Sequence, residues 1–369
     1  MIMKRTLSFM AALLLCGSLF AAENIPAGDQ RITYVGRTQV TDGNVSFDWT
    51  ATYLRIAFTG KQLKVRLSDT VGRNFFNVYI DQPQMGPEPD FVFNAAGQDT
   101  VIVLFNEKKK GSHTVVLQKR TEGEQGTTTL HEFMTDGVFM QAEPLKPRML
   151  EIVGDSYTCG YGAENSVKSD PFMAETECSA KSYAGILARY FDADYIAVAH
   201  SGMGIARNYN TKFAGWYMPD RYLQTFDMDS TQATRWNAAQ YAFKPAMTIV
   251  WLGANDFSVR MQPSYQDFAK HYYQLIREIK ANYGEDHPVL CCARKGLDEL
   301  FMYVRRMALD SGMKNIYYAG FFNGMFHDDD RNLGARYHPN YEAHRKVACE
   351  LIPYVGTITE WELQDKAVK

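Results

Sequence analysis

Cysteine is scarce in this chain and poorly placed for pairing: six occur in 369 residues, and no two form a CxxC element. That argues against a structural zinc site. One of the six, Cys16, falls in an N-terminal leader, and the odd number left does not suit a disulfide-stapled scaffold. Cys159 and Cys178 flank one loop and are the pair that could bridge, whereas Cys291-Cys292 reads as two small buried residues. An excess of positive charge is missing too. With 39 basic against 42 acidic residues and a net charge of -3, no basic face for nucleic acid is expected. Beyond the leader, no apolar run reaches the roughly 20 residues that a membrane-spanning helix requires. Internal repeats and low-complexity segments are absent as well.

The chain is 46% hydrophobic and 22% charged, as suits real cores. Lys4 and Arg5, an apolar stretch from Leu7 to Phe20 and then Ala21-Ala22 read as an export signal over residues 1–22, implying a periplasmic or secreted product. Leu14-Leu15-Cys16-Gly17 offers a lipoprotein box as the rival reading, but Leu15 is bulkier than the residue that normally precedes a lipidated cysteine.

Residues 23–145 are short, alternating and rich in β-branched and aromatic side chains. Expected strands are 52–58, 63–67, 75–80, 100–105 and 113–117, separated in part by glycine turns at Thr59-Gly60-Lys61 and Ala96-Gly97-Gln98. This spacing predicts an antiparallel β-sandwich of jelly-roll type, with Lys108-Lys109-Lys110 on a solvated loop. From Met149 the texture changes. Buried strands at 149–153, 195–199, 246–252, 289–292 and 315–319 alternate with helical segments at 181–190, 265–282, 298–309 and 340–352. Such alternation over residues 146–369 predicts a three-layer α/β/α unit around a parallel sheet, with its site at the carboxyl ends of the strands.

The loops at that edge carry reactive side chains. Gly154-Asp155-Ser156 follows the first strand, where a tight turn exposes a serine hydroxyl; alone it could equally be a capped turn. Gly202 in the second loop and Asn255 of Gly253-Ala254-Asn255-Asp256 in the third can supply neutral donors, and together with the Ser156 N–H they could form an oxyanion hole. Capping and turn chemistry are the plainer alternatives for Asn255, Asp256 and Gly202. A serine nucleophile needs a base, and His338, stiffened by Pro339 just before the last helix, is the best placed of the eight histidines. His200 lies beside the hole and could shape it. His327 before Asp328-Asp329-Asp330 hints at a metal, but a solvated acidic loop is the simpler reading. The scheme calls for neither cofactor nor metal.

Gly154-Asp155-Ser156, Gly202, Gly253-x-Asn255-Asp256 and His338-Pro339 resemble, in order, the four blocks of the SGNH (GDSL-type) hydrolases. The longer string from Gly154 to Gly162, together with Lys119-Arg120-Thr121-Glu122 and the β-rich front half, resembles carbohydrate esterase family 2 more narrowly. The resemblance implies a jelly roll packed on an SGNH domain, and removal of acetyl groups from plant polysaccharides or their oligosaccharides. It makes Ser156 the nucleophile, His338 the base, and Ser156, Gly202 and Asn255 the oxyanion hole. One departure stands out: the aspartate usual two or three residues before the histidine is replaced by Arg336 and Ala335. The resembled esterase family includes serine–histidine dyads in which a backbone carbonyl accepts the other imidazole N–H, and that resemblance implies a dyad here, with Asp328, Asp329, Asp330 or Glu342 as alternative orienting groups. Trp216, Tyr217, Trp251, Phe257 and Tyr337 could stack on a sugar. Two alternatives remain open: a carbohydrate-binding protein without activity, and a lipase or lysophospholipase on the same scaffold.

Overall fold

The computed structural model describes residues 22–82, 84–211, 215–231, 233–242, 244–258, 261–294, 298–321 and 331–369. Residues 1–21 of the expected export signal, Cys16 among them, and the segment His327 to Asp330 lie outside the described residues. Strands β1 (Glu23–Pro26), β2 (Thr33–Val35), β3 (Gln39–Thr41), β4 (Asn44–Phe47), β5 (Tyr53–Asp69), β6 (Phe75–Ile80), β7 (Phe91–Asn94), β8 (Thr100–Lys119), β9 (Thr128–Thr135) and β10 (Val138–Met140) form one antiparallel sheet. Its path is β3-β4-β9-β5-β8-β6-β7, with β1 on β9, and β2 and β10 on β5.

The sequence reading divided β5 and β8 into two strands each, and here the structure corrects it. Gly60, expected in a turn, and Gly111, expected beside a loop, pair with each other between two continuous strands, and the register shifts between Gly60 and Gln62. A Cβ on Gly60 would lie 2.6 Å from Thr135 Oγ1, so glycine here allows close strand approach at a bend. Lys108, Lys109 and Lys110 accordingly lie within β8, exposed as expected but on a strand. The bend curls the sheet over its own core. Leu54, Ile56 and Phe58 from one half of β5 share a buried cluster with Leu63, Val65 and Leu67 from the other.

The second half of the chain matches its expected alternation closely. In order come β11 (Met149–Gly154), α1 (Ser156–Cys159), α2 (Tyr183–Phe191), β12 (Asp194–Ala199), α3 (Met218–Arg221), β13 (Met247–Trp251), α4 (Tyr265–Tyr283), β14 (Val289–Arg294), α5 (Asp298–Asp310), β15 (Ile316–Phe321), β16 (Leu333–Gly334), β17 (His338–Pro339) and α6 (Tyr341–Thr359). Strands β11 to β15 build a parallel sheet of order β12-β11-β13-β14-β15. Helices cover both faces. Apolar residues of α2 and α6 pack on one side and those of α4 and α5 on the other. Because the chain winds from β11 first to one neighbour and then to the opposite one, loops diverge at the carboxyl end of β11 and leave a crevice there. Ser156 stands at that end.

The curled sheet is seated on this unit through buried polar contacts. Tyr53 donates to Asp194 Oδ1 at 2.7 Å, and Arg55 pairs with the same carboxylate. Among the described residues no helix is long and apolar enough to cross a membrane. Cys159 and Cys178 are separate free thiols, the first donating to Glu122 and the second accepting from the Asn77 amide, and do not form the bridge considered above.

Candidate active site

The serine side is built by regular structure. All six residues of β11 are buried, and β12 and β13 hydrogen-bond to its two edges. The strand ends on Gly154, where a Cβ would sit 1.9 Å from Thr158 Oγ1, an atom itself held by Tyr183 Oη at 2.7 Å. Glycine is thus the residue that lets the strand turn directly into α1. Asp155 caps that turn, its Oδ1 accepting from the Tyr157 N–H at 3.1 Å. Ser156 is 6% exposed, and its Oγ lies 2.9 Å from His338 Nε2.

The histidine side is built by loop contacts. Arg336 and Tyr337 both adopt left-handed backbone, with φ of 51° and 61°. Two consecutive non-glycine residues in that region cost roughly 1–3 kcal/mol each, so the surroundings must hold them there. They do so through the Arg336 N–H donating to Asp170 O and the Tyr337 N–H to Lys168 O, each at 3.0 Å. This double reversal brings the Arg336 carbonyl to 3.0 Å from His338 Nδ1. A carbonyl can only accept, so the proton sits on Nδ1 and Nε2 offers its lone pair to the serine hydroxyl. Glu342, one of the alternative orienting groups, instead pairs with Arg345 on exposed helix surface. Tyr161 lies against the imidazole with centroids 4.2 Å apart, and Phe172 stacks behind Tyr161 at the same distance. Burial of the ring lowers the His338 pKa to about 4, against the opposing pull of the Arg336 carbonyl. The imidazole is neutral at neutral pH, as a base must be.

Between them lies the loop after β12. Gly202 has φ of 80°, and neither its N–H nor that of Ser156 donates a hydrogen bond among the described residues. Asn255 Nδ2 donates to Met203 O at 2.9 Å and to Asp155 Oδ2 at 3.1 Å, which ties the third loop to the first two. Asp256 is no mere cap. Its carboxylate accepts the N–H groups of Ile205, Ala206 and Arg207 at 2.6–2.9 Å and so pins the segment beyond Gly202. Burial raises Asp155 to about 7 and Asp256 to about 6, which reduces the negative charge that either presents to the hole. His200 is fully buried with Nδ1 on Asp227, so it shapes the loop from behind. Of the residues singled out from the sequence, Ser156 and His338 are in hydrogen-bond contact, and Asn255 bonds to Asp155 and Met203, the chain neighbours of Ser156 and Gly202. Sequence reasoning missed the anchoring by Asp256, for which the Asn255-Asp256 dipeptide was the only hint. Trp251 packs in the core against Tyr183 and Phe321, and Phe257 against Phe268 and Tyr303, so neither is a free stacking platform. Tyr337, the residue before His338 in the chain, is 57% exposed.

Two family models match this chain. The family model described as "GDSL-like Lipase/Acylhydrolase family" matches residues 152–346, and the one described as "Carbohydrate esterase 2 N-terminal" matches residues 34–144. The chain belongs to the GDSL-like lipase/acylhydrolase family. Within it, this family member is 30% identical over 341 residues to the cellulase/esterase CelE of Acetivibrio thermocellus, covering 89% of this chain but only 40% of that protein's length. It is 26% identical over 349 residues to an acetylxylan esterase/glucomannan deacetylase of Cellvibrio japonicus, with 92% of each covered. Among solved structures, a family two carbohydrate esterase from Clostridium thermocellum in complex with cellohexaose superposes with a TM-score of 0.80 at 28% identity, over 90% of this chain and 100% of that one.

Proposed function

We propose that this chain is a serine esterase that removes O-acetyl groups from plant polysaccharides or their oligosaccharides. The observation that carries this reading is the 2.9 Å approach of Ser156 Oγ to His338 Nε2, with the opposite ring nitrogen committed to the Arg336 carbonyl. His338 takes the hydroxyl proton as Ser156 Oγ attacks the acetyl carbonyl, and charge collects on the carbonyl oxygen. The free N–H groups of Ser156 and Gly202 receive that charge. Asn255 is the third donor, since the hydrogen it directs at Asp155 can be shared with the oxyanion. Collapse expels the sugar oxygen, which collects the proton from His338 and leaves an acetyl-serine. Water then attacks that ester, giving its proton to His338, and Ser156 recovers it as acetate departs. Burial of the ring keeps the base in its active form at acidic to neutral pH.

A carbohydrate substrate is supported by what the relatives are named for and by the cellohexaose held in the structural neighbour. Tyr337 is suited to lie against a sugar ring beside the base. Residues 23–145 read as a jelly-roll sandwich unit and 146–369 as the catalytic unit, behind an export signal at 1–22.

The test is hydrolysis of a chromogenic acetate ester and of acetylated xylan and glucomannan by the wild type, Ser156→Ala and His338→Ala proteins. Each substitution should lower kcat by about 10³–10⁴-fold or more. Turnover equal to wild type in either variant would refute the reading, and a preference for long acyl chains would point to a lipase.

A further inference from the structure

The string Lys119-Arg120-Thr121-Glu122 leaves the end of β8, far from the reactive serine in sequence, yet all four residues are 1% exposed or less. Lys119 Nζ donates to the carbonyls of Thr121 and Glu122, at 2.6 and 3.1 Å, and curls the chain into a tight corner. Arg120 fastens that corner to the catalytic half by donating to the carbonyls of Glu175 and Glu177. At its tip Gly123 lies so close to Asp227 that a Cβ would fall 2.3 Å from Oδ2. The same Asp227 oxygen holds the His200 ring. Glu122 then extends into the loop itself, where its Oε2 accepts the N–H of Ser201 at 2.5 Å.

Ser201 sits between buried His200 and Gly202, so fixing its N–H fixes the His200–Ser201 peptide plane, one Cα before the peptide that carries the Gly202 N–H. We propose, building on the esterase reading, that Glu122 is a positioning residue of the oxyanion hole: a carboxylate supplied by the N-terminal sheet that aims the Gly202 N–H at the ester oxygen. The N-terminal unit would then be part of the catalytic apparatus and not merely its neighbour. Glu177 completes the support, its Oε2 accepting from the Glu122 N–H at 3.2 Å. Burial beside Glu122 raises the Glu177 carboxyl well above the usual range, which favours its protonated form next to Glu122. Cys159 Sγ makes this a trio of possible metal ligands. The groups directed at Glu122 Oε2, however, are donors, the Ser201 N–H and the Cys159 thiol, and they mark it as a hydrogen-bond acceptor.

The experiment uses the full chain with Glu122→Ala, Glu122→Asp and Glu122→Gln, and reads kcat and KM on an acetate ester, affinity for a boronic acid that forms a tetrahedral serine adduct, and thermal unfolding. Glu122→Ala should lose about 10–100-fold in kcat with KM within twofold, and boronate affinity should fall in parallel, since both need an aimed hole. Glu122→Gln keeps an oxygen that can accept the Ser201 N–H and should recover most of kcat. Glu122→Asp keeps the carboxyl group but is a methylene short, and should fall at least fivefold below Glu122→Gln. A folded Glu122→Ala protein with wild-type kcat overturns the proposal. Where Glu122→Ala does not fold, equal kcat for the Asp and Gln variants overturns it. A wild type without esterase turnover overturns the esterase reading and this proposal with it, and so separates the two failures.

Discussion

Ser156 stands at the end of a strand buried at every position and hydrogen-bonded along both edges, whereas His338 stands on a loop that reverses through two left-handed residues and is tied down by single hydrogen bonds to residues 168 and 170. The serine inherits its place from the sheet. The histidine's place has to be assembled from loop against loop, with the left-handed backbone of Arg336 and Tyr337 held by the hydrogen bonds to residues 168 and 170 and by the short pairing of Gly334 with His338. Stability and activity should therefore separate between the two regions: damage under the serine is paid for in folding, and damage under the histidine in turnover.

The largest effect that would break or sharpen this contrast comes from Gly162. It has φ of 63°, and a Cβ there would lie 2.6 Å from Ala335 Cβ and 3.0 Å from Ala335 N, on the segment leading to His338. Gly162→Ala should displace that segment and lower kcat by about 10–100-fold, since small misplacements of a reacting group are costly. Its cost in stability should be about 1–2 kcal/mol, from the left-handed backbone alone. Val153→Ala, within the fully buried strand beneath Ser156, should show the reverse. Loss of packing should cost about 1–3 kcal/mol, with kcat of the folded protein within a few-fold. Denaturant melts and steady-state kinetics on both proteins check the pair, and a Gly162→Ala protein that loses stability but keeps its turnover would erase the distinction.

The same contrast explains what could be read from the sequence. The buried run from Met149 to Val153 ending in Gly154-Asp155-Ser156 announces both a strand and its site, because one short segment determines the geometry. His338 is legible through Pro339 and the helix behind it. Its orienting partner could be narrowed only to a carbonyl or a distant carboxylate, because Arg336 and Tyr337 carry no sign of left-handed backbone, a conformation that glycine and asparagine usually signal. Glu122 was legible as part of a motif but not as a neighbour of Ser201, since 79 residues separate them. In the front sheet, Gly60 looks like a turn residue because a glycine that permits a bend in a continuous strand looks the same in sequence as one that permits a turn.

A second measurement sharpens the histidine side through pH. With the ring's pKa lowered to about 4, kcat/KM should hold level from neutral pH downward and fall only as the imidazole protonates near pH 4. Tyr161 supplies part of the cover at 4.2 Å. Tyr161→Ala admits water to the ring, relieves the desolvation that disfavours the cation, and should move the acid limb upward toward the ordinary histidine value near 6.5. An unmoved limb would mean that the tyrosine does not set the local environment of the base.

The smallest expected effect falls on the residue that makes the decisive contact. Arg336 meets His338 through its carbonyl, and its side chain is exposed, so the group that orients the imidazole is one that any residue supplies. Alanine pays a similar penalty to arginine for φ of 51°, leaving the Asp170 and Lys168 hydrogen bonds to hold the loop as before. Arg336→Ala should therefore reduce kcat by no more than about threefold, far from the roughly 10⁴-fold loss seen when an orienting aspartate side chain is neutralised in a conventional triad. A loss of that larger size, measured on a folded protein, would show that the guanidinium itself takes part, and the backbone carbonyl would no longer be a sufficient account of how the histidine is held.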